Sequence, residues 1–253
     1  MDVEATIVGR GMIGRAFEPL APRLGRTLVF ASGVSDSSCS RPEEYNKERL
    51  LLEKAIDGCL ADGRRLVYFS SAGAVYGDWQ DQRDEATPLS PNTMYGEHKV
   101  VFEEVIRDSG ADYLIARLPN VVGPVQNPNN LVPTLVRQAV EGRARIFAHA
   151  CRDIMDVVDV ADLIARLVTR GVSSQVVLVA SGICQSAADL FDLIQRQLGT
   201  RATVQLVDGG IPHRYRIDNL RRLLGVDAVF PPDYPSLVIS KYAARIAREL
   251  QGP

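Results

Sequence analysis

Apolar residues recur along this chain with two alternating spacings. Short, partly β-branched runs at residues 4–9, 27–31, 66–69, 113–118, 175–180 and 203–207 are bounded by glycine, serine or charged positions and read as buried strands. Between them the spacing changes to that of one apolar helix face, predicting helices over 15–24, 43–60, 95–106 and 131–141. Further helices are expected up to about residue 170 after the run 153–159, and over 187–198, 218–224 and 236–250. Leu50, Leu51, Ala55, Ile56 and Cys59 supply the apolar positions of the 43–60 helix, and Val101, Phe102, Val105 and Ile106 those of the 95–106 helix. Residues 77–92 are polar and turn-rich, a loop over the sheet edge, and 124–130 form an amide-rich loop. Strand and helix in alternation argue for an α/β chain whose parallel sheet is covered by helices.

Chemistry gathers where these strands end. The run 66–69 stops at Ser70-Ser71, placing hydroxyls at a strand tip, where open α/β sheets bind their ligands. Tyr95 and Lys99, four residues apart, project from one side of the following helix near its start. A phenol ionises only near pH 10 in water, and a neighbouring ammonium favours its anion, so the pair facing those hydroxyls forms a proton-transfer constellation. At the other end of the chain, residues 4–9 run into Gly9-Arg10-Gly11-Met12-Ile13-Gly14 and then a helix. Strand, GxGxxG and helix in that order suit a pyrophosphate: a tight turn, close backbone approach, and close helix packing. The acid expected roughly 20 residues later on an NAD-type ribose is absent, because 27–31 leads into Ser32-Gly33-Val34-Ser35. Taken alone, each feature has a plainer alternative: a glycine-rich turn, a half-buried core tyrosine, a solvated lysine.

Composition narrows the field. The 253 residues carry a net charge of −2, with 46% hydrophobic and 24% charged content, which gives no electrostatic footprint for nucleic acid or an anionic membrane. No apolar run approaches a membrane span and the acidic start lacks a signal-peptide pattern, so a cytoplasmic protein is expected. Cys39, Cys59, Cys151 and Cys184 are scattered without paired spacing, as are His98, His149 and His213. Neither a metal site nor a disulfide framework is expected from them.

Several segments together resemble the extended short-chain dehydrogenase/reductases, the NAD(P)-dependent epimerase/dehydratase family acting mostly on nucleotide sugars. They are Gly9–Gly14, Ser70-Ser71 with Val75-Tyr76-Gly77, the Asp84-Glu85-to-Pro91 loop, and Tyr95-xxx-Lys99. Arg117-Leu118-Pro119-Asn120 with Gly123-Pro124, and Arg152-Asp153 with Asp159 and Asp162, complete the set in the family's order. The resemblance implies a Rossmann-like doubly wound parallel sheet with a small C-terminal substrate-binding portion. Residues 1–123, rejoined by about 152–182, would bind the cofactor, and 124–151 with 183–253 the substrate. It implies Tyr95 as acid/base, Lys99 on the nicotinamide ribose, and a strand-tip hydroxyl, Ser71 or else Ser70, as helper. Gly9, Arg10, Gly11, Met12, Ile13, Gly14, Ser32, Ser70, Tyr95, Lys99 and Pro119 would hold the cofactor, and Ala72, Asn120 and Arg152 the substrate. An ion pair with Asp153 or Asp156 competes for Arg152, Asp159 and Asp162 read as helix-start charges, and His98 is given no role.

Three departures shape the expectation. The family's usual catalytic hydroxyl position falls on Ala72, one residue beyond Ser71. The glycine spacing is one residue tighter than usual, and Arg10 resembles an arginine lying beside an adenosine 2′-phosphate, which favours NADP(H) with NAD(H) as the alternative. Residues 29–35 align with the family's fourth strand, so the second and third strands are expected to be missing and the first to lie near a sheet edge. The expected activity is reduction of a keto group on a nucleotide-activated sugar by a homodimer, with Leu50, Leu51, Phe102 and Ile106 as interface candidates. An epimerase with retained NAD and a non-catalytic NAD(P)-binding sensor or scaffold are the alternatives. Gly73 and Ala74 stand where the family's dehydratases carry an acidic pair, which argues against dehydration.

Overall fold

The computed structural model describes residues 4–251. β1 (Thr6–Val8) leads into α1 (Met12–Phe17), which tightens to a 3-10 turn at Glu18–Arg23, where Pro19 and Pro22 remove backbone donors. β2 (Thr27–Phe30), α2 (Pro42–Asp62), β3 (Arg65–Ser71), the single turn α3 (Ala72–Val75), α4 (Met94–Asp108) and β4 (Tyr113–Leu118) follow. Then come β5 (Asn120–Val122), α5 (Leu131–Val140), β6 (Arg143–Phe147), β7 (Cys151–Arg152), β8 (Ile154–Asp156), α6 (Val157–Thr169) and β9 (Gln175–Leu178). The chain closes with β10 (Gln185–Ser186), α7 (Ala187–Leu198), β11 (Thr203–Val207), α8 (Asp218–Leu224), a 3-10 turn at Gly225–Ala228, and α9 (Tyr234–Gln251).

The main sheet is parallel throughout in the order β1-β2-β3-β4-β9, so β1 occupies an edge, as expected of a sheet short of two strands. Alternation along β2 sorts the two faces. Leu28 and Phe30 join Leu52, Ile56, Phe102 and Ile106 of α2 and α4, while Val29 packs with Phe17 of α1 and the residues of α6. The connections through α2 and α4 therefore cross one face, and those through α1 and α6 cross the other. All four step in the same direction across a parallel sheet, so the two pairs have opposite hands, against the usual uniform right-handed rule. One consequence positions the site. The chain leaves β1 and β2 towards opposite faces, which parts their C-terminal loops and opens a crevice, as a topological switch point does in a longer sheet.

α4 is held at its start and along its length. Thr93 caps it, its hydroxyl accepting from Gly96 N–H at 3.1 Å. Gly96 lets this first turn press on α3: a Cβ there would stand 2.5 Å from the Ala74 carbonyl oxygen. Farther along, Arg117 of β4 makes a two-pronged pair with Glu103, at 2.9 Å from Nε and 2.6 Å from Nη2, and also donates to the Tyr76 hydroxyl at 2.9 Å. Both charges are buried, each satisfying the other.

The outer faces of α2 and α4 correct the expected apolar stripes. Leu50 and Leu51 are 60% and 41% exposed, and Val101 and Val105 45% and 41%, whereas Phe102 and Ile106 lie in the core and are unavailable to a partner. Three two-stranded sheets lie outside the main sheet: β5 with β8, β6 with β11, and β7 with β10. Of these strands only β11 was legible, because the others are two or three residues long or, in β6, alternate with arginines that read as loop. The β7–β10 pairing also overturns the expectation of unpaired cysteines: Cys151 and Cys184 form a disulfide across it, with Cα atoms 5.5 Å apart. Sequence spacing carried no trace of that pairing, which arises because two segments distant in the chain, β7 and the approach to β10, meet in space.

Candidate active site

A cavity of about 450 Å³ opens above the tips of β1 to β4. Its wall contains Gly9, Arg10 and Gly11 from the loop after β1, Met12 and Ile13 of α1, Ser32 after β2, Ser70 and Ser71 of β3, Tyr95 and Lys99 of α4, Pro119 after β4, and Asn120 of β5. The structure thus brings together most of the residues singled out from sequence. Gly14 stands behind the loop instead, where it permits close packing: a Cβ would come 2.2 Å from the Gly9 carbonyl oxygen. Gly11, by contrast, faces open space that leaves the backbone approachable.

Two expected substrate residues are not on this wall. Ala72 is wholly buried, because the chain turns into α3 there and directs its methyl group into the core. Arg152 lies to one side, its guanidinium donating to the carbonyls of Ile211 at 2.6 Å and Cys151 at 3.0 Å. The competing ion pairs for Arg152 are absent as well. Asp153 accepts instead from Ser181 and Gly182, and Asp156 from Tyr242, Lys241 and the Val158 N–H that it caps. Asp159 sits in the first turn of α6 and accepts from the Tyr234 hydroxyl, in keeping with a helix-start role. Asn120 donates to the Asp153 carbonyl at 3.1 Å, which fixes its amide at the cavity mouth.

The residue that sequence reasoning missed is Glu48. It projects from α2 into the core, 3% exposed, and accepts from the Lys99 ammonium at 2.9 Å and from the Val34 N–H at 2.8 Å. The Tyr68 hydroxyl lies 3.0 Å from Lys99 Nζ and 3.3 Å from the same carboxylate. His98, given no role beforehand, places Nε2 3.1 Å from the other Glu48 oxygen, with its ring against Tyr45 and Phe102. Burial opposes the Glu48 charge, but Lys99, His98 and the Val34 N–H outweigh it and bring the carboxyl down to about 2. Burial likewise opposes the Lys99 charge and is outweighed by Tyr68 and Glu48 oxygens, so the ammonium persists. A sequence signal existed: Glu48 stands in register with Leu52, Ala55, Ile56 and Cys59, the buried face of α2.

Lys99 Nζ is 5.6 Å from the centre of the Tyr95 ring, so a fixed positive charge stands beside the phenol on the cavity wall. An ammonium has three donors. Glu48 and Tyr68 take two, which leaves one for a hydroxyl inside the cavity. Ser70 supplies a further free group: its hydroxyl is buried and has no hydrogen-bond partner among the described residues. Open backbone at Gly11, a spare lysine donor and an unpartnered serine hydroxyl form the lining that a dinucleotide cofactor's phosphates and ribose require, and the residues present fit such a group.

The comparisons with known proteins agree with this geometry. The chain is 32% identical over 148 residues to a putative UDP-glucose 4-epimerase of Methanocaldococcus jannaschii, covering 54% of this chain and 48% of that one. It is 26% identical over 190 residues to an uncharacterized UDP-glucose epimerase of Bacillus subtilis, covering 72% and 60%. The chain spans about half the length, or less, of the first curated relatives it matches. Among solved structures its fold resembles the UDP-N-acetylglucosamine 4-epimerase of Methanobrevibacter ruminantium, with TM-score 0.76, 19% identity, and coverage of 97% and 98%. It also resembles MoeE5 in complex with UDP-glucose and NAD, with TM-score 0.79, 18% identity, and coverage of 97% and 99%. Residues 5–180, well over half of the chain, match the model of the NAD dependent epimerase/dehydratase family, so the sheet, the glycine loop and the Tyr95–Lys99 pair are those of a member: the chain belongs to that family.

Proposed function

We propose that the protein is a nucleotide-sugar epimerase that keeps its NAD between turnovers and acts on a UDP-hexose. The observation carrying this reading is that Tyr95, Lys99, the two serine hydroxyls and the glycine loop line a single cavity, in a chain whose curated relatives are named as UDP-glucose 4-epimerases. A nicotinamide cofactor held by the glycine loop, Ser70 and Lys99 would supply the removal of a hydride from the sugar carbon and its return. Tyr95 accepts the hydroxyl proton as the carbonyl forms and returns it to the oxygen as the carbonyl is reduced from the opposite side. Lys99, anchored by Glu48 and Tyr68, would hold a cofactor hydroxyl with its third donor, and it keeps a positive charge beside Tyr95. Ser71, or Ser70 with its free hydroxyl, donates to the sugar oxygen as negative charge develops on it.

A second reading, the keto-sugar reductase using NADP(H), draws on one feature. Arg10 is exposed on the cavity rim, and the β2 tip offers Ser32 and Gly33 in place of a ribose-binding acid. One experiment separates the two. Purified protein is denatured to release and quantify bound cofactor, and native protein is incubated with UDP-glucose and no added cofactor. The epimerase reading expects near-stoichiometric NAD and conversion to UDP-galactose. Protein that arrives empty and consumes added NADPH with a keto-sugar nucleotide is a reductase, and binding without turnover in either assay marks a sensor or scaffold.

The proposal includes a homodimer through α2 and α4, whose outward Leu50, Leu51, Val101 and Val105 present apolar surface on two neighbouring helices. Sedimentation at micromolar concentration should give one species of twice the chain mass, and a monomer under those conditions removes the dimer.

A further inference from the structure

Residues 123–130 join β5 to α5, and Val125, Gln126, Asn127 and Asn130 among them form one side of the cavity wall. The segment starts from a fixed point. Gly123 packs against α1 and α6, where a Cβ would come 2.9 Å from Met12 Sδ and 2.6 Å from Val157 Cγ1. Val125 then takes left-handed backbone with a φ of 55°, which a β-branched residue adopts only under constraint. The constraint comes from α9: Glu249 accepts the Val125 N–H at 2.9 Å and is itself held by Arg245 at 2.8 Å. Pro124 and Pro128 restrict the backbone on either side of this bend.

Farther along, two amides reach the loop after β2. Asn127 Nδ2 donates to the Ser35 hydroxyl at 3.4 Å, and Asn129 Nδ2 to the Asp36 carboxylate at 2.9 Å. The Asn127 side chain also accepts from the Asn129 N–H at 2.9 Å, so the two amides act as one unit. The opposite side is fixed: Ser38 donates twice to Asp36, and Glu48 holds the Val34 N–H at 2.8 Å. Both clasp bonds face water, which competes for them, so the clasp opens at little cost while its anchors stay in place. Asp36, Asn129 and Glu249 stand outside the cavity wall, which separates this clasp from the surface that touches a ligand.

We propose that residues 125–130 are a strap over the cofactor cavity, and that unclasping Asn127 from Ser35 and Asn129 from Asp36 sets the rate of cofactor exchange. The inference rests on the retained-cofactor reading above and supplies its physical means. Position supports it. Met12 opens α1 just after β1, and Ser35 and Asp36 follow β2, so the strap spans the crevice between those two strand tips. The bend at Val125 serves as its hinge. Freed from Glu249, that residue relaxes to ordinary backbone and draws the amides off Ser35 and Asp36.

The test follows labelled NAD. Protein loaded with radiolabelled NAD is mixed with excess unlabelled NAD and the retained label is counted over time. Capture by cofactor-depleted protein is timed with the same label. Asp36→Ala and Glu249→Ala should each speed release and capture together by about threefold to tenfold, the effect of one lost hydrogen bond. Because both rates rise, Kd stays nearly constant, and kcat with saturating UDP-glucose is unchanged. Asp36→Asn, which keeps an acceptor for Asn129, should exchange as slowly as the wild type. Charge does not explain faster release in Asp36→Ala, since removing a negative charge holds an anionic cofactor longer. Unchanged exchange in both alanine variants overturns the proposal and leaves the segment a fixed wall. Faster release with unaltered capture also overturns it, making the segment a contact surface instead of a gate. Wild type that does not retain NAD removes the retained-cofactor reading instead. The same variants are then timed with labelled NADPH, whose exchange judges the strap separately, and no binding of either label overturns both.

Discussion

Replacing Tyr95 by phenylalanine should lower kcat by about 10²- to 10⁴-fold, the usual contribution of a positioned general acid/base, with little change in KM or melting temperature. The ring lines the cavity and is only half-buried, so removing its hydroxyl opens no core void and strands no buried partner. Lys99 keeps its bonds to Glu48 and Tyr68, because Tyr95 contributes to neither. Rates of the variant and wild type, compared under saturating sugar nucleotide, decide the matter. An unchanged kcat would take the proton transfer away from Tyr95 and leave it as a wall residue. A variant that loses activity only together with its fold would show a structural role instead.

The second large effect is expected at Glu48. Glu48→Leu leaves the Lys99 ammonium buried with the Tyr68 hydroxyl as its remaining partner, and breaking a buried pair from one side costs about 3–5 kcal/mol. Urea titration should show that loss, and the released lysine should weaken cofactor binding at the same time. The carboxylate also sets an acid limit. Its group titrates at about 2 in the folded protein against an ordinary 4.5, so the stabilisation is complete above the ordinary value and drains away as pH falls from 4.5 towards 2. Glu48→Gln, which keeps the shape, should flatten the melting temperature over that window. A mutant whose acid dependence matches the wild type would show that other carboxylates set it.

Where local pattern and tertiary environment agree, the elements were legible residue by residue. The strand at Tyr113–Leu118 and the helices Ala187–Leu198 and Asp218–Leu224 have the predicted bounds, because each carries its own apolar periodicity between turn signals or caps. The glycine loop and Tyr95–Lys99 were legible because chemistry there demands particular residues at fixed spacing. Glu48 was hidden among Glu43, Glu44, Lys47, Arg49, Glu53 and Lys54, where composition reads as a solvated helix. Its register with the buried face was the available clue, and it is visible only once burial of that face is taken as a constraint on the acid too. Arg83 had no local signal at all: it lies in a polar loop, and its burial follows from backbone hydrogen bonds to Arg214 and Arg216, far away in the chain.

The sequence by itself determined the α/β alternation, the phosphate-approachable loop at Gly9–Gly14 and the phenol–ammonium pair, since each depends on periodicity or spacing within a few turns of chain. Tertiary structure alone decided the rest. It set the crossovers of opposite hand that put β1 at the edge yet still part the tips of β1 and β2. It paired Cys151 with Cys184, turned Ala72 into the core, and drew Glu48 onto Lys99 and Arg83 towards Arg152. A charge has no stable address in sequence: whether it meets water, an opposite charge or nothing is settled by which distant segments exclude solvent around it.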